Sequence, residues 1–359
     1  MARLSYDHRQ SQRRKGPSLR VEICTVPSPE VGEYVRRTDQ GKLCHLPEWS
    51  SMIRRTFGHE VFYLVARKRD LICGVLPLTK VNSRLFGNRM ISQAFSNYGG
   101  PLVDDVGALG ELLNRAFELA CEYECPQVEF RNLDLLPYDL VLKEGKVCMF
   151  LPLVSDPDEM WRCLKPEIRN RVRKAEKYGL VATSGGQELL GEFYRVWTIR
   201  MRQLGTPCYS KNLFRNILET FPKYSRVFLV KLGNIAVGAA FNYSFNGLGQ
   251  CRWAATRIEF NELAPNTLLY WSAVRHHCLA GDRTFDFGRS TAGSSQYEFK
   301  RRWGALPIQL YYQYWTAPGH EFSQVRPECP KYAIGVERWK KLPLWITRLA
   351  GPRISCSLP

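Results

Sequence analysis

The chain has 359 residues, of which 45% are hydrophobic and 12% aromatic, and its formal net charge is +17. A chain of this length exceeds what one hydrophobic core usually serves, so we expect two folded domains. No apolar run approaches the roughly 18 residues that a spanning helix needs, and we expect neither a transmembrane segment nor a signal peptide.

The first part of the chain predicts a basic tail followed by an α/β domain. Residues 1–20 carry six basic residues against Asp7, and the polar stretch 1–19 is expected to be disordered. Alternating and helical spacings then predict a helix through Trp49, a hairpin over 61–66 and 71–81, a helix over 109–125 and a strand over 127–131. We therefore predict an N-terminal domain over residues 20–140.

The second part predicts another α/β domain over residues 141–320. A strand over 147–154 is followed by a helix that Asp156 caps and by a basic helix that starts at Pro166 and ends at Gly179. Residues 165–177 carry six basic against two acidic residues, and one face of this helix presents Arg169, Arg173 and Lys177. We expect this stripe to bind phosphate groups, although a solvated helix face is an equal alternative.

The two parts of the chain repeat the same order of elements. The hairpin over 226–243 resembles the first hairpin, and Gly238 occupies the place of Gly74. Each hairpin is followed by a helix and then by a strand, which in the second part are the helix from Pro265 to Ala280 and the strand from Thr284 to Phe287. This order predicts a duplicated domain.

The segment from Asp286 to Gly304 contains the densest group of candidate functional residues. A short strand places Asp286 opposite its flanking phenylalanines, and a glycine turn then leads into a basic helix start. Free N–H groups at such a turn can meet an oxyanion or a phosphate. Our candidates here are Asp286, Arg289, Ser290, Ser294, Tyr297, Phe299 and Lys300.

The run from Phe285 to Ala305 resembles the C-terminal signature of FemAB-like proteins, in particular the branch found beside exosortase and PEP-CTERM exopolysaccharide systems. Shorter pieces support the resemblance in the same order along most of the chain: Pro47–Trp49, Phe57–His59, Gly74–Leu78, Ser96–Pro101, Arg169–Lys177 and Pro265–Trp271. The resemblance implies an α/β (α+β) fold of two tandem GNAT-like domains with mixed sheets. It also implies transfer of an acyl or aminoacyl group to an envelope or exopolysaccharide precursor.

The resemblance further implies roles for individual residues. Phe299 and Lys300 correspond to a phenylalanine–lysine pair whose lysine lies near the acyl centre or the phosphates, on what we expect to be an exposed helix start. Tyr98 lies in the loop that would face the acceptor. With that correspondence, Lys300 and Arg289 are candidates for stabilising negative charge. The acceptor proton could go to Asp286, Tyr297, Glu298 or His276, although Asp286 fits a structural hydrogen bond or an ion pair with Arg289 better.

The donor is expected to be anionic and not permanently bound. The segment before Pro265 lacks the glycine loop with which GNAT enzymes usually hold acetyl-CoA, which favours aminoacyl-tRNA or a carrier-bound acyl group, with coenzyme A or another nucleotide-linked molecule still open. Trp253 and Tyr270 are either core residues or stacking platforms for such a ligand. Neither a GxSxG motif nor a catalytic cysteine context is present, so no covalent nucleophile is predicted.

Cysteines and histidines add no further site. The twelve cysteines include no CxxC pair and are typical of small buried hydrophobes in a reduced compartment, and the six histidines show no ligand spacing. We predict no metal site and a cytoplasmic location.

Residues 321–359 predict an amphipathic C-terminal tail. Within residues 331–353, six basic residues against Glu337 interleave with tryptophans and aliphatic residues, which suits either the inner face of an anionic membrane or packing on the second domain. Two rival functions remain beside the FemAB-like transferase: an acyl-CoA-dependent N- or O-acyltransferase, and a non-catalytic basic adaptor on membrane or nucleic acid.

Overall fold

The structure is a computed structural model that describes residues 19–83, 87–322 and 330–358. The predicted disordered tail lies outside the described residues except for Leu19, where the first strand begins. The described residues form two mixed β-sheets with helices packed on their faces. None of the helices in these ranges is long and apolar enough to cross a membrane.

The first part of the chain contributes seven strands and three helices. These are β1 (Leu19–Cys24), α1 (Pro29–Arg37), α2 (Pro47–Phe57), β2 (Glu60–Lys68), β3 (Leu71–Val81), β4 (Arg89–Ser92), β5 (Leu102–Val103), α3 (Val106–Glu122), β6 (Gln127–Asn132) and β7 (Val141–Lys143).

The remaining elements follow in chain order. They are β8 (Lys146–Pro152), α4 (Pro157–Cys163), α5 (Pro166–Lys177), β9 (Leu180–Gly185), α6 (Leu190–Leu204), α7 (Lys211–Thr220), β10 (Ser225–Leu232), β11 (Ile235–Phe245), β12 (Leu248–Thr256), α8 (Pro265–Leu279), β13 (Thr284–Thr291), α9 (Ser295–Arg302), β14 (Leu306–Gln309), β15 (Tyr311–Thr316), α10 (Pro330–Lys341) and α11 (Leu344–Ser355).

Helix boundaries follow local chemistry. Proline occupies the first turn of α2, α5 and α8, where its missing N–H costs nothing and its fixed φ suits the helix. Gly58 and Gly205 end α2 and α6 with φ of 73° and 72°, a left-handed conformation that glycine adopts without strain. The predicted cap is confirmed, since the Asp156 carboxylate accepts a hydrogen bond from the backbone N–H of Asp158.

The predicted duplication is confirmed by strand register. Gly74 lies opposite Ala66 in the β2–β3 hairpin and Gly238 lies opposite Val230 in the β10–β11 hairpin, and in both hairpins the register shifts at the next residue. The strand that follows each hairpin then pairs in parallel with a later strand, β4 with β6 and β12 with β13. Both halves therefore repeat one α/β unit.

One strand of the second unit joins the sheet of the first, and the two units share a core. The first sheet has the order β1-β2-β3-β4-β6-β15-β7, with β5 on β3, and the second has the order β14-β8-β13-β12-β11-β10-β9. Strand β15 thus leaves the second unit and pairs with β6 of the first. One hydrophobic cluster runs from α2 of the first unit to α6 and α7 of the second, so the units form one body.

The C-terminal helix α11 packs on the second unit. Thr347, Gly351 and Ser355 are buried, and the Sγ of Cys208 and the Oγ of Ser355 tie the helix to the loop after α6. Because these positions are buried, one side of α11 lies against the protein. Trp345 and Leu349, which belong to the tryptophans and aliphatic residues of this amphipathic segment, remain exposed.

Candidate functional site

Strands β12 and β13 diverge at the centre of the second sheet. Their parallel pairing spans Leu248–Gln250 and Thr284–Asp286 and then ends. Opposite Phe241 and Asn242 the register shifts, which leaves Arg252 as a bulged residue of β12. A cavity of about 720 Å³ lies at this divergence, and we call it the cleft.

The cleft is lined by helices from both faces of the second sheet. Tyr270 of α8 and Phe299 of α9 lie with the hydrophobic cluster on one face, while Trp197 of α6 lies with the cluster on the other. Because the two clusters take alternate residues of β10, they occupy opposite faces of the sheet. The cleft therefore borders both faces of the sheet at the point where its strands part.

The cleft is strongly basic. Its lining includes five cationic side chains and, among the described residues that line it, no Asp or Glu; the cations are Arg171, Arg200, Arg252, Arg289 and Lys300. Arg171 also forms an ion pair with Glu167 at 3.6 Å. A cavity whose lining carries net positive charge attracts an anionic ligand and raises its local concentration.

The N-terminus of α8 also borders the cleft. Ala264, with φ of 58°, precedes Pro265, and both residues line the cavity together with Asn266 and Thr267. The segment before Pro265 has no glycine loop, and it forms a short 3₁₀ helix over Ile258–Leu263 instead. The partial positive charge of a helix N-terminus adds to the attraction for anions.

Lys300 lies under the surface, so its predicted exposure was wrong. Its side chain is buried because α9 folds back over the bend in β13, and its ammonium donates to the carbonyls of Gly288 at 2.8 Å and Arg289 at 3.1 Å. Gly288 makes the bend possible with φ of 81°. An ammonium has three N–H donors, so one remains for a ligand in the cleft. Burial lowers the pKa of Lys300.

Asp286 is fully buried beside the cleft and does not line it. Its carboxylate accepts hydrogen bonds from the Tyr98 hydroxyl at 2.9 Å, the Gln250 amide at 3.1 Å and the Gly288 N–H at 2.7 Å. Burial raises the pKa of Asp286, and these three donors act against that rise. The expected pairing with Arg289 is not formed, because the Arg289 guanidinium turns to the Tyr312 hydroxyl.

The loop that carries Tyr98 is held from both units. Arg252 donates to the carbonyl of Phe95 and to the Asn97 side chain, and the Tyr312 hydroxyl donates to the carbonyl of Asn97. Phe95 has φ of 66°, a conformation that costs free energy in a residue other than glycine and needs such support. Asn97 lines the cleft as a result, whereas Tyr98 is buried and lines a second cavity of about 350 Å³ together with Lys42 and His45.

The other residues expected in the site divide into two groups. Trp253, Tyr270 and Phe299 line the cleft, although the first two are also largely buried core residues. Ser290, Ser294 and Tyr297 do not line it: Ser290 is buried, the Ser294 hydroxyl caps α9, and Tyr297 packs on the core of the second sheet.

The basic stripe of α5 does not reach the cleft. Arg169, Arg173 and Lys177 lie away from it, and the Arg173 guanidinium stacks over the Trp161 ring at 5.6 Å. Arg171 lines the cleft in their place. It stands three residues after buried Ile168 and four before buried Ala175, so it borders the strip of α5 that packs on α8. This spacing is visible in the sequence and could have pointed to Arg171 as a site residue.

Two observations limit the chemistry of the cleft. Burial raises the pKa of the Cys251 thiol to about 12, so this cleft-lining cysteine is not a thiolate at neutral pH. Among the residues that the structure describes, no group of His, Cys, Asp and Glu could hold a metal ion. The arrangement suits the binding of anions and the stabilisation of negative charge.

Comparison with known proteins agrees with this geometry. Residues 164–301 match the acetyltransferase (GNAT) domain family, while no curated protein sequence matches the chain. The chain is similar in structure to FemX, with a TM-score of 0.64 and 16% identity over 81% of this chain and 96% of FemX.

Two further solved structures are similar. The C-terminal domain of a putative lysylphosphatidylglycerol synthetase from Agrobacterium fabrum has a TM-score of 0.53 and 11% identity over 79% of this chain and 90% of its own. A tandem GNAT protein from the clavulanic acid biosynthesis pathway has a TM-score of 0.53 and 11% identity over 85% of this chain and 100% of its own. Residues 164–301 therefore match a GNAT acetyltransferase domain, and the chain has a tandem GNAT-like fold.

Proposed function

We propose that the protein transfers an acyl or aminoacyl group directly from a bound anionic donor to an amine or hydroxyl acceptor in the cleft. The observation that carries this proposal is the cleft through the split sheet, lined by five cations and no carboxylate among its described residues. The match of residues 164–301 to the GNAT acetyltransferase domain supports it.

The donor occupies the side of the cleft that α5 and α8 border. Arg171 and the N-terminus of α8 supply positive charge there for phosphate groups. The acceptor occupies the opposite side, where Trp197 and Arg200 of α6 and Trp253 offer aromatic faces and a cation. Approach from two sides brings the nucleophile and the acyl carbon together at the divergence of the strands.

The reaction is a single addition and elimination at the acyl carbon. The acceptor nitrogen or oxygen attacks the carbonyl carbon, the carbonyl electrons move to its oxygen, and the bond to the donor sulfur or oxygen then breaks as the carbonyl reforms. The acceptor proton leaves to the departing donor group or to water. Lys300 and Arg289 stabilise the negative charge that develops on the oxyanion or the leaving group.

Asp286 and Tyr98 position this machinery. The Asp286 carboxylate binds the N–H of Gly288, and the carbonyl of Gly288 binds the Lys300 ammonium. Because Asp286 is fully buried outside the cleft, it acts through these contacts and not as a proton acceptor for the substrate. Tyr297, which packs in the core, is left without a catalytic role in this scheme.

We further propose the class of the substrates. The donor is acyl-CoA or aminoacyl-tRNA, and the acceptor is an envelope or exopolysaccharide-related precursor, as the resemblance to FemAB-like proteins of PEP-CTERM systems implies. The setting is the cytoplasm, at the inner face of a membrane. A cleft filled by side chains would have favoured the rival proposal of a non-catalytic adaptor, and the open cleft speaks against it.

A transfer assay with a donor panel tests the proposal. Acetyl-CoA, longer acyl-CoA esters and aminoacyl-tRNA are each incubated with the protein and with amine and hydroxyl acceptors, and release of free donor is measured. Lys300→Met should lower kcat by about a hundred- to a thousandfold. Arg301→Met, an exposed neighbour on α9, should leave the rate near that of the parent.

The stability of each variant separates catalysis from folding. Lys300→Met removes the donor for two carbonyls and should also lower the melting temperature. A folded Lys300→Met protein that turns over at the parental rate would remove Lys300 from the mechanism. Failure of every donor to bind or react would contradict the proposed function.

A further inference from the structure

A helix that only packs on its own protein is expected to bury its large apolar residues, and helix α11 does not follow this pattern. It buries Thr347, Gly351 and Ser355, which are small or polar, and exposes two large apolar residues four positions apart. Trp345 is 67% exposed and Leu349 is 60% exposed. Contiguous exposed apolar side chains rimmed by polar residues are typical of an interaction surface, whereas single scattered ones are not.

The orientation of α11 is fixed by contacts on its inner side. A Cβ on Gly351 would lie 2.9 Å from the backbone N of Cys208, so the helix approaches the loop after α6 as closely as glycine allows. The Arg348 guanidinium donates to the Thr198 hydroxyl, and the His59 Nε2 lies 2.8 Å from the carbonyl oxygen of Cys356. These contacts hold Trp345 and Leu349 outward, since rotating α11 would break them.

Helix α10, which ends just before Pro343, adds further exposed basic and apolar residues next to α11 in the chain. We define the outward face as the exposed residues at helical spacing within each helix: Trp345, Leu349 and Arg353 on α11, and Ile334, Arg338 and Lys341 on α10. Between residues 334 and 358 the chain has five basic residues and one acidic residue, Glu337, which pairs with Lys340. The outward face itself therefore combines apolar side chains with three exposed basic residues, Arg338, Lys341 and Arg353.

We infer that the outward face docks on an anionic lipid surface, with Trp345 and Leu349 entering the headgroup boundary and the basic residues meeting lipid phosphates. Tryptophan suits this boundary because its ring is apolar and its N–H is polar, and each basic residue near an anionic leaflet strengthens binding. A second copy of the chain fits less well, because pairing the same face would bring like charges together.

Docking would also bring the end of α6 close to the lipid. A Cβ on Gly205 would lie 2.5 Å from the Val336 side chain, so α10 sits against the end of α6, and Leu204 at that end lines the cleft. The inference stands on the outward face alone and holds whether or not the proposed transfer reaction is correct.

Vesicle flotation with the full chain tests the inference. The parent should float with phosphatidylcholine vesicles that contain about 30% phosphatidylglycerol at low salt, should not float with phosphatidylcholine alone, and should dissociate as salt rises. Trp345→Ser combined with Leu349→Ser should weaken binding by about tenfold or more. Leu71→Ser with Val106→Ser, which alters two equally exposed apolar residues of the first unit, should bind like the parent.

A second pair of variants tests the charge. Lys341→Glu with Arg353→Glu should weaken binding to the anionic vesicles by about tenfold or more, whereas Arg54→Glu with Lys223→Glu, the same charge change at exposed positions elsewhere, should have a far smaller effect. All four proteins should melt near the parental temperature, because every altered side chain is exposed.

Several outcomes would overturn the inference. One is a parent protein that ignores anionic vesicles at low salt. Another is a Trp345→Ser and Leu349→Ser variant that binds anionic vesicles as well as its control. A Lys341→Glu and Arg353→Glu variant that binds as well as its control would overturn the inference too. A dimeric parent that becomes monomeric through the serine pair, without any vesicle binding, would show that the face is an interface between copies of the chain.

Discussion

The hydroxyl of Tyr98 donates a hydrogen bond to the carboxylate of Asp286 at 2.9 Å, joining residues that stand 188 positions apart in the chain. Tyr98 belongs to the loop after β4 of the first unit, and Asp286 lies in β13 beside the cleft of the second. The first unit therefore stabilises the site through this bond. The same carboxylate accepts a hydrogen bond from the N–H of Gly288, and the carbonyl of Gly288 accepts one from the Lys300 ammonium.

Tyr98→Phe should destabilise the protein by about 1–3 kcal/mol, because it removes one of three donors to a fully buried carboxylate. It should also raise the pKa of Asp286 further, since the lost bond favours the ionised form. Urea unfolding measures the loss. Tyr178→Phe, at an exposed position, is the control, and equal stability of both variants would contradict the role given to this bond.

Charge reversal of two cleft arginines should show whether they bind the donor. Arg171→Glu with Arg289→Glu should weaken binding of coenzyme A by about tenfold or more and flatten its salt dependence. Arg173→Glu with Lys177→Glu makes the same charge change on the exposed side of α5, away from the cleft, and should have little effect.

Isothermal titration with coenzyme A at two salt concentrations distinguishes the two pairs. If the Arg173 and Lys177 variant lost as much affinity as the cleft variant, attraction by general charge would explain binding better than the cleft does. A parent protein that does not bind coenzyme A would exclude it as the donor and leave aminoacyl-tRNA for the same comparison.

Stability should fall with acid in the window set by His45. Burial lowers the pKa of His45 from 6.5 to about 4, and its Nδ1 accepts the backbone N–H of Lys42 only while the ring is neutral. The unfolded chain therefore binds a proton at higher pH than the folded protein does. The stability that neutral His45 contributes is fully present above pH 6.5 and is lost as the pH falls toward 4.

The expected slope is about 1.4 kcal/mol per pH unit from this one group. Urea unfolding at several pH values between 7 and 5 measures it. His45→Gln should lower stability at pH 7 and reduce the slope, while His320→Gln, at an exposed position, should keep the parental slope. If the free energy of unfolding of His45→Gln kept the parental slope against pH, His45 would not be a buried neutral group that contributes to this slope.

Gly249 should not tolerate a side chain. A Cβ at this position would lie 2.5 Å from the His277 ring, which is fixed by hydrogen bonds to Asp282 and Asn242. Gly249→Ala should destabilise the protein by about 1–3 kcal/mol through overpacking and disturb β12 just before it diverges from β13.

Gly335→Ala provides the matched control in denaturant unfolding. A Cβ on Gly335 meets nothing within 4 Å on helix α10, so alanine should be neutral or stabilise the protein by up to about 1 kcal/mol. Equal effects of the two substitutions would contradict the close approach of Gly249 to His277.

Local patterns in the sequence were sufficient for the repeated unit. Alternation in strands and glycine at matching places of two hairpins depend on neighbouring residues, so they predicted the duplication that the register of Gly74 and Gly238 confirms. Asp286 was likewise assigned to the opposite face from Phe285 and Phe287, because side chains alternate along a strand.

Only the tertiary structure decided which of these faces meet. Spacing along α5 grouped Arg169 with Arg173, but packing of the helix on α8 turned Arg171 toward the cleft. The fold of α9 over the bend at Gly288 buried Lys300, and contact between the units joined Tyr98 to Asp286. Periodicity determines which residues share a face of one element, whereas the partner of that face depends on chain segments far away in sequence.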